Sequence, residues 1–151
     1  MTDQPQTPLQ IAVIPVTPFQ QNCSILWCTR TKQAVVVDPG GDVSLIRGAL
    51  KEVGVTPVAI WLTHGHLDHA GGAAELAEAL SVPVVGPHEA DKFLLDELPT
   101  AGLRFDIRDM RAVTPSRWLV EGDEVKVGDV AFSVLHVPGH TPGHVTFFQK
   151  D

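Results

Sequence analysis

The sequence predicts an α/β fold built from packed layers of strands and helices. Strand-like segments come first, and helix-like and strand-like segments then alternate. Further strands follow, so βα units have strands on both sides. The composition agrees, at 44% hydrophobic and 19% charged over 151 residues. Such a chain buries enough surface to offset its ordering entropy and suits one domain, residues 1–151.

Taken in order, residues 9–16 (LQIAVIPV) and 22–29 (NCSILWCT) read as strands. Pro15 removes a ladder donor and places the first near a sheet edge. Residues 33–37 (QAVVV) make a short strand that ends on the turn composition Asp38-Pro39-Gly40-Gly41. Asp42 is then the expected N-cap of a helix. Val43, Ile46, Leu50 and Val53 follow at helical spacing, and Gly54 is placed as the C-cap. Residues 57–62 are the next buried strand, with helix over 72–80, strand over 82–85 and a short helix near 88–97. Residues 98–116 show no clean period and carry Arg104, Arg108 and Arg111, so an irregular loop with a solvated basic face is expected. Strands return at 117–120, 124–127 and 130–137 between Gly-Asp turn signals, and a last one spans 144–148.

Eleven basic and eighteen acidic side chains give a net charge of -7 without any basic block. Nucleic acid and anionic membrane surfaces are therefore not expected partners. No apolar run reaches the length of a membrane span. The start, MTDQPQTPLQ, lacks the basic and apolar regions of a secretory leader, so a cytoplasmic location is expected. Cys23 and Cys28 are too few for a disulfide framework, and their spacing on one strand points them to opposite faces.

Seven histidines are present, and six lie in two short windows. The first window is Thr63-His64-Gly65-His66-Leu67-Asp68-His69, where a strand gives way to a helix. His64 and His66 are two apart, so on an extended segment both rings lie on one side. Three imidazoles and a carboxylate at this spacing suit a borderline-soft cation such as zinc. Without a cation such a cluster would be poorly satisfied. In the second window, Pro138-Gly139 and Pro142-Gly143 flank His140 with rigid turns and make it the natural third imidazole. Three protein ligands with one open position characterise catalytic rather than structural zinc. Asp68 and His69 are candidates to begin a second metal site. His136, on a strand, and His144, after a Pro-Gly turn, are expected to pack or hydrogen-bond instead, and His88 to start a helix. Asp38 either orients the site or makes a local Asx turn. Trp27, Trp61 and Trp118 are expected in or around the core.

THGHLDHAGG followed by VPGHTPGH resembles the metallo-β-lactamase superfamily, and more closely its glyoxalase II-like (hydroxyacylglutathione hydrolase-like) branch in its short, single-domain bacterial form. Pro15-Val16-Thr17, Gln21-Asn22-Cys23, Val37-Asp38-Pro39-Gly40-Gly41 and Val84-Val85-Gly86-Pro87 agree, so the resemblance runs over about residues 11–149. It implies an αββα sandwich, of which this chain spans the N-terminal half and the first part of the second. It also implies a metallohydrolase with zinc, as one or two ions, or iron or manganese in its place. By the same resemblance His64, His66 and His140 hold the first metal, and Asp68 and His69 belong to the second. The implied substrate is a small-molecule glutathione thioester such as S-lactoylglutathione, cleaved by metal-bound hydroxide that Asp68 helps to orient. A thiolate leaves readily, so no strong general acid is required.

Beyond the second window the family pattern carries an aspartate bridging two metals and a later Gly-His-Gly histidine. The sequence up to Asp151 holds neither, and Lys150-Asp151 lacks the glycine that precedes that aspartate. The chain is therefore expected to be incomplete at its C-terminus. Its first ligand set would be full, its second would hold two members, and its last strand would be an open edge available for self-association. Three rival readings stay open: a persulfide dioxygenase-like iron enzyme of the same fold, a lactonase of that fold, and a truncated, catalytically impaired metal-binding chain.

Overall fold

A computed structural model describes residues 8–149; residues 1–7 and Lys150-Asp151 lie outside the described residues. Five strands form one sheet in sequence order: β1 (Leu9–Val16), β2 (Gln21–Cys28), β3 (Gln33–Val37), β4 (Thr56–Trp61) and β5 (Val84–Val85). β1, β2 and β3 are antiparallel neighbours, whereas β3, β4 and β5 run parallel. The parallel pairs require crossovers, which α1 (Val43–Val53) and α3 (Ala73–Leu80) supply. A second, antiparallel sheet contains β6 (Glu124–Val127), β7 (Val130–His136) and β8 (Val145–Gln149). Three short helices complete the described residues: α2 (Leu67–Ala70), α4 (Lys92–Asp96) after a 3-10 turn at Glu89–Asp91, and α5 (Leu98–Arg104).

Strand alternation divides the core in two. Cys23, Ile25, Ala34, Val36 and Ile60 face the helices, against Ile46 and Leu50 of α1 and Leu76 of α3. The intervening residues Leu26, Cys28, Val35, Ala59 and Trp61 face Val125, Val127, Phe132, Val134 and Val145 of the second sheet. Trp61 is the centre of that seam, edge-on to Phe132 at 5.3 Å and stacked with Phe147 at 4.9 Å between ring centroids. Truncating it to alanine would cost roughly 3–5 kcal/mol. These are the helical layer and the two sheets of an αββα sandwich. Among the described residues no helix contributes to the core on the three-stranded sheet. The two cysteines are free, buried and on opposite faces, as their spacing predicts.

Several elements differ from the sequence reading. Residues 98–104 form α5 rather than loop, because its buried face is only Leu98 and Gly102. A glycine adds no apolar side chain to the pattern, yet the position is tight: a Cβ there would stand 3.0 Å from both the Ile107 carbonyl oxygen and Met110 Cβ. Residues 117–120 make only an isolated bridge, Arg117 to Val85, although Leu119 is fully buried. The strand expected at 82–85 contracts to Val84–Val85. Asp42 does stand at the N-terminus of α1, but its side chain does not cap the helix. Its Oδ2 instead accepts from the Thr17 amide at 2.6 Å, tying the β1–β2 turn to the start of α1.

Candidate metal centre

Asp38 follows β3, the first histidine window follows β4, and His88 lies shortly after β5. All three therefore emerge at the carboxyl ends of neighbouring parallel strands, where open α/β sheets assemble their sites. The second window joins β7 to β8 and reaches the same edge, anchored where the Val145 amide donates to the Thr63 carbonyl at 2.8 Å.

A chain of hydrogen bonds fixes His64. The Asp38 carboxylate is buried and accepts from the Thr63 amide (2.8 Å), the Thr63 hydroxyl (2.6 Å) and His69 Nδ1 (2.9 Å). The Thr63 hydroxyl spends its only proton on Asp38, so its contact with His64 Nδ1 at 2.9 Å requires that nitrogen to be the donor. His64 is thereby held with Nδ1 protonated and Nε2 as a bare lone pair. That Nε2 is buried and has no hydrogen-bond partner. Burial first, and then the surrounding rings of His69, His144, His66 and His140, pull the His64 pKa from 6.5 down to about 3.

One nitrogen from each of His64, His66 and His140 falls in a group whose members all lie within 4.8 Å of one another. His66 Nδ1 and His140 Nε2 approach to 3.2 Å, although they are 74 positions apart. Burial and the nearby His140 ring lower the His66 pKa, which keeps this imidazole neutral as well. An orphaned buried lone pair facing two further imidazole nitrogens fits a divalent cation with nitrogen ligands.

Asp38, His64 and His69 form a second such group. Here the Asp38 oxygens already accept from three donors, so this carboxylate is satisfied by the chain itself. Burial disfavours protonation of His69, but the hydrogen bond from its ring to Asp38, together with the charges of Asp38 and Asp68, outweighs this and raises its pKa. Gln21 Nε2 lies 3.1 Å from the same ring nitrogen.

Asp91 joins the two windows. It is fully buried; its Oδ2 accepts from the Gly65 amide (2.9 Å) and the Thr141 hydroxyl (2.7 Å), and its Oδ1 from the Gly143 amide (2.7 Å). One carboxylate thus sets the residues next to His66 and His140. Gly143 is obligatory, since a Cβ there would stand 2.6 Å from the Asp91 amide nitrogen.

The structure brings together His64, His66, His69 and His140 as the sequence proposes. Asp68 stands at the edge of the cluster, its Oδ2 3.7 Å from His69 Nε2, and is outside both convergent groups. His136 Nε2 donates to the Pro142 carbonyl (2.9 Å) and its ring stacks on His88 at 4.1 Å, both roles remote from the cluster. His88 also caps the 3-10 turn, accepting from the Ala90 amide. His144 lies closer than expected, its ring 4.6 Å from that of His64, although it joins neither group. Sequence reasoning missed Asp91 and Gln21 as parts of the site. Asp91 lies 26 positions beyond Gly65, outside both histidine windows. Only burial of an acidic residue marks it out, and burial is not visible in sequence.

Residues 16–151 match the metallo-beta-lactamase superfamily profile, and the chain belongs to that superfamily. It is 41% identical over 144 residues to hydroxyacylglutathione hydrolase GloC of Haemophilus influenzae, covering 95% of this chain and 68% of that protein. The crystal structure of BLEG-1 B3 metallo-beta-lactamase superposes with a TM-score of 0.81 at 34% identity, over 93% of this chain and 67% of the other. TTHA1623 in a di-iron-bound form gives 0.79 at 34% identity, over 91% and 66%. The chain therefore spans about two thirds of the length of these relatives. No helix among the described residues is long and apolar enough to cross a membrane.

Proposed function

We propose that this chain carries the metal-binding half of a thioester hydrolase of glyoxalase II type, acting on a glutathione thioester such as S-lactoylglutathione. The observation that carries the reading is His64 Nε2, a buried lone pair without a partner, on a ring that converges with those of His66 and His140. The name of the Haemophilus influenzae relative, at 41% identity, supports the substrate class. In this reading His64, His66 and His140 hold a zinc ion, and His69 and Asp68 serve a second metal position.

The chemistry such a cation supplies when bound is Lewis-acid polarisation of a carbonyl oxygen and acidification of water. The chain's own residues prepare for it. Asp38 and Thr63 hold His64 in the tautomer that presents Nε2, and Asp91 fixes the spacing between the two loops. Asp68, partly exposed beside His66, orients the attacking water and accepts its proton. A thiolate departs without help from a strong acid.

Metal analysis of the purified chain, followed by S-lactoylglutathione hydrolysis with the metal restored, tests the proposal. Zinc bound at His64, His66 and His140 with metal-dependent thioester cleavage is expected. Dominant iron, with oxygen uptake on glutathione persulfide and no thioester cleavage, would replace the hydrolase by a dioxygenase. Metal binding with neither reaction would leave only a metal-binding chain.

A further inference from the structure

Beside the histidine cluster, two phenylalanines from distant parts of the chain meet in the open. Phe19, in the β1–β2 turn, and Phe105, just past α5, pack edge-to-face with centroids 5.2 Å apart while staying 42% and 54% exposed. Together with His66, Leu67 and Asp68 they line a cavity of about 210 Å³. A second cavity, of about 220 Å³, continues behind the shared wall of His66, Leu67 and Phe105 towards Leu94 and Leu98. Single exposed apolar residues are ordinary, but two aromatic rings converging on a concavity are the usual makeup of a ligand pocket.

The geometry points to a subsite for a neutral, aryl-bearing acyl group, with Phe19 and Phe105 as its specificity-determining residues. This rests on the thioester reading above. Four features select the occupant. His66 belongs both to the cavity wall and to the convergent nitrogens, so the cavity adjoins the cluster and is within reach of a group attached to an atom that reacts there. A cavity of this size accommodates a benzene ring, since an enclosed apolar space of about 150 Å³ already takes one up. Aromatic edges and faces favour a third ring over an alkyl stub. Asp68 at the rim disfavours a second carboxylate in the acyl group.

Mandeloyl and lactoyl groups differ only by phenyl in place of methyl on the same carbon, so they isolate the subsite. The non-hydrolysable thioethers S-(2-hydroxy-2-phenylethyl)glutathione and S-(2-hydroxypropyl)glutathione give a binding readout independent of turnover. Calorimetric titration of the full chain should show the phenyl compound binding about tenfold more tightly. Its addition should also shift the ring NMR signals of Phe19 and Phe105. Phe105→Ala and, separately, Phe19→Ala should collapse the preference, and both residues are exposed enough for the variants to fold. The ratio of kcat/KM for S-mandeloylglutathione over S-lactoylglutathione should fall in parallel. Equal or absent binding of the two thioethers, or a preference unchanged in both variants, overturns the subsite. A retained phenyl preference in a chain that cleaves neither thioester would keep the subsite and overturn the hydrolase reading instead.

Discussion

The hydroxyl of Thr141 donates to Oδ2 of Asp91 at 2.7 Å, a buried contact between residues fifty positions apart. Thr141 directly follows His140, and the same oxygen of Asp91 also accepts from the amide of Gly65, which directly precedes His66. The separation of two candidate ligands is therefore set by a carboxylate that belongs to neither window.

Thr141→Val removes that hydroxyl and leaves the buried carboxylate short of a donor. The expected cost is about 1–3 kcal/mol in urea unfolding, as for an unsatisfied buried group. Zinc affinity should fall by about tenfold or more, the range seen when ligand-orienting partners are lost. Thr141→Ser should restore both, because it keeps the donor. A valine variant with unaltered zinc affinity would show that the loops hold their spacing without Asp91.

Gly40 has no room for a side chain, since a Cβ there would lie 1.9 Å from the Asp68 carbonyl oxygen. Backbone faces backbone at this contact, so no rotamer change relieves it. Gly40→Ala should push α2 and its Asp68 and His69 away from β3, destabilising by about 1–3 kcal/mol, as overpacking does. Thermal unfolding, together with the loss of the His69–Asp38 contact in ¹⁵N-histidine spectra, measures it.

The metal-free chain should lose stability in mild acid. His64 titrates at about 3 when folded against 6.5 as its ordinary value, because of burial and then its neighbouring imidazoles. Between those values the unfolded chain binds a proton that folded His64 refuses, so stability is full above about 6.5 and drains as pH falls towards 3. His66 and His144, both lowered by burial and by His140, act in the same direction. His69 acts oppositely, since its raised pKa contributes stability below 6.5 that is lost as pH rises through the folded value. Urea midpoints at pH 7.5 and pH 5 should show the fall, and His64→Gln should flatten it (conditions chosen as roughly one unit above and 1.5 below the ordinary histidine value). A midpoint rising on acidification would mean that His69 dominates.

His66→Ala and His136→Ala separate ligand from bystander. The first removes one of three convergent nitrogens and should abolish tight zinc binding in a competition titration. The second breaks only the stack on His88 and the contact with the Pro142 carbonyl, so zinc content should stay near that of the parent. Loss of metal in the second variant would move the site to the other end of the loop.

Periodicity and turn chemistry exposed most of the fold. β1, β3 and the limits of α1 follow from alternation, Pro15, Asp42 and Gly54, all local signals. α5 escaped because its buried face rests on a glycine, and residues 117–120 misled because Leu119 is buried by a neighbouring sheet rather than paired in one. At the site, ligand type and spacing singled out His64, His66, His69 and His140. The same spacing set Asp68 beside them, whereas the structure puts Asp38 in direct contact with His69 and Thr63.

The sequence by itself determined the donor chemistry: imidazoles grouped in two windows. Tertiary structure decided which nitrogens face one another, which tautomer His64 holds, and that Asp38 and Asp91 support the site from outside the windows. The reason is physical. Donor chemistry belongs to the residue, but burial, tautomer and hydrogen-bond partnership depend on segments brought together by packing across the sheet edge.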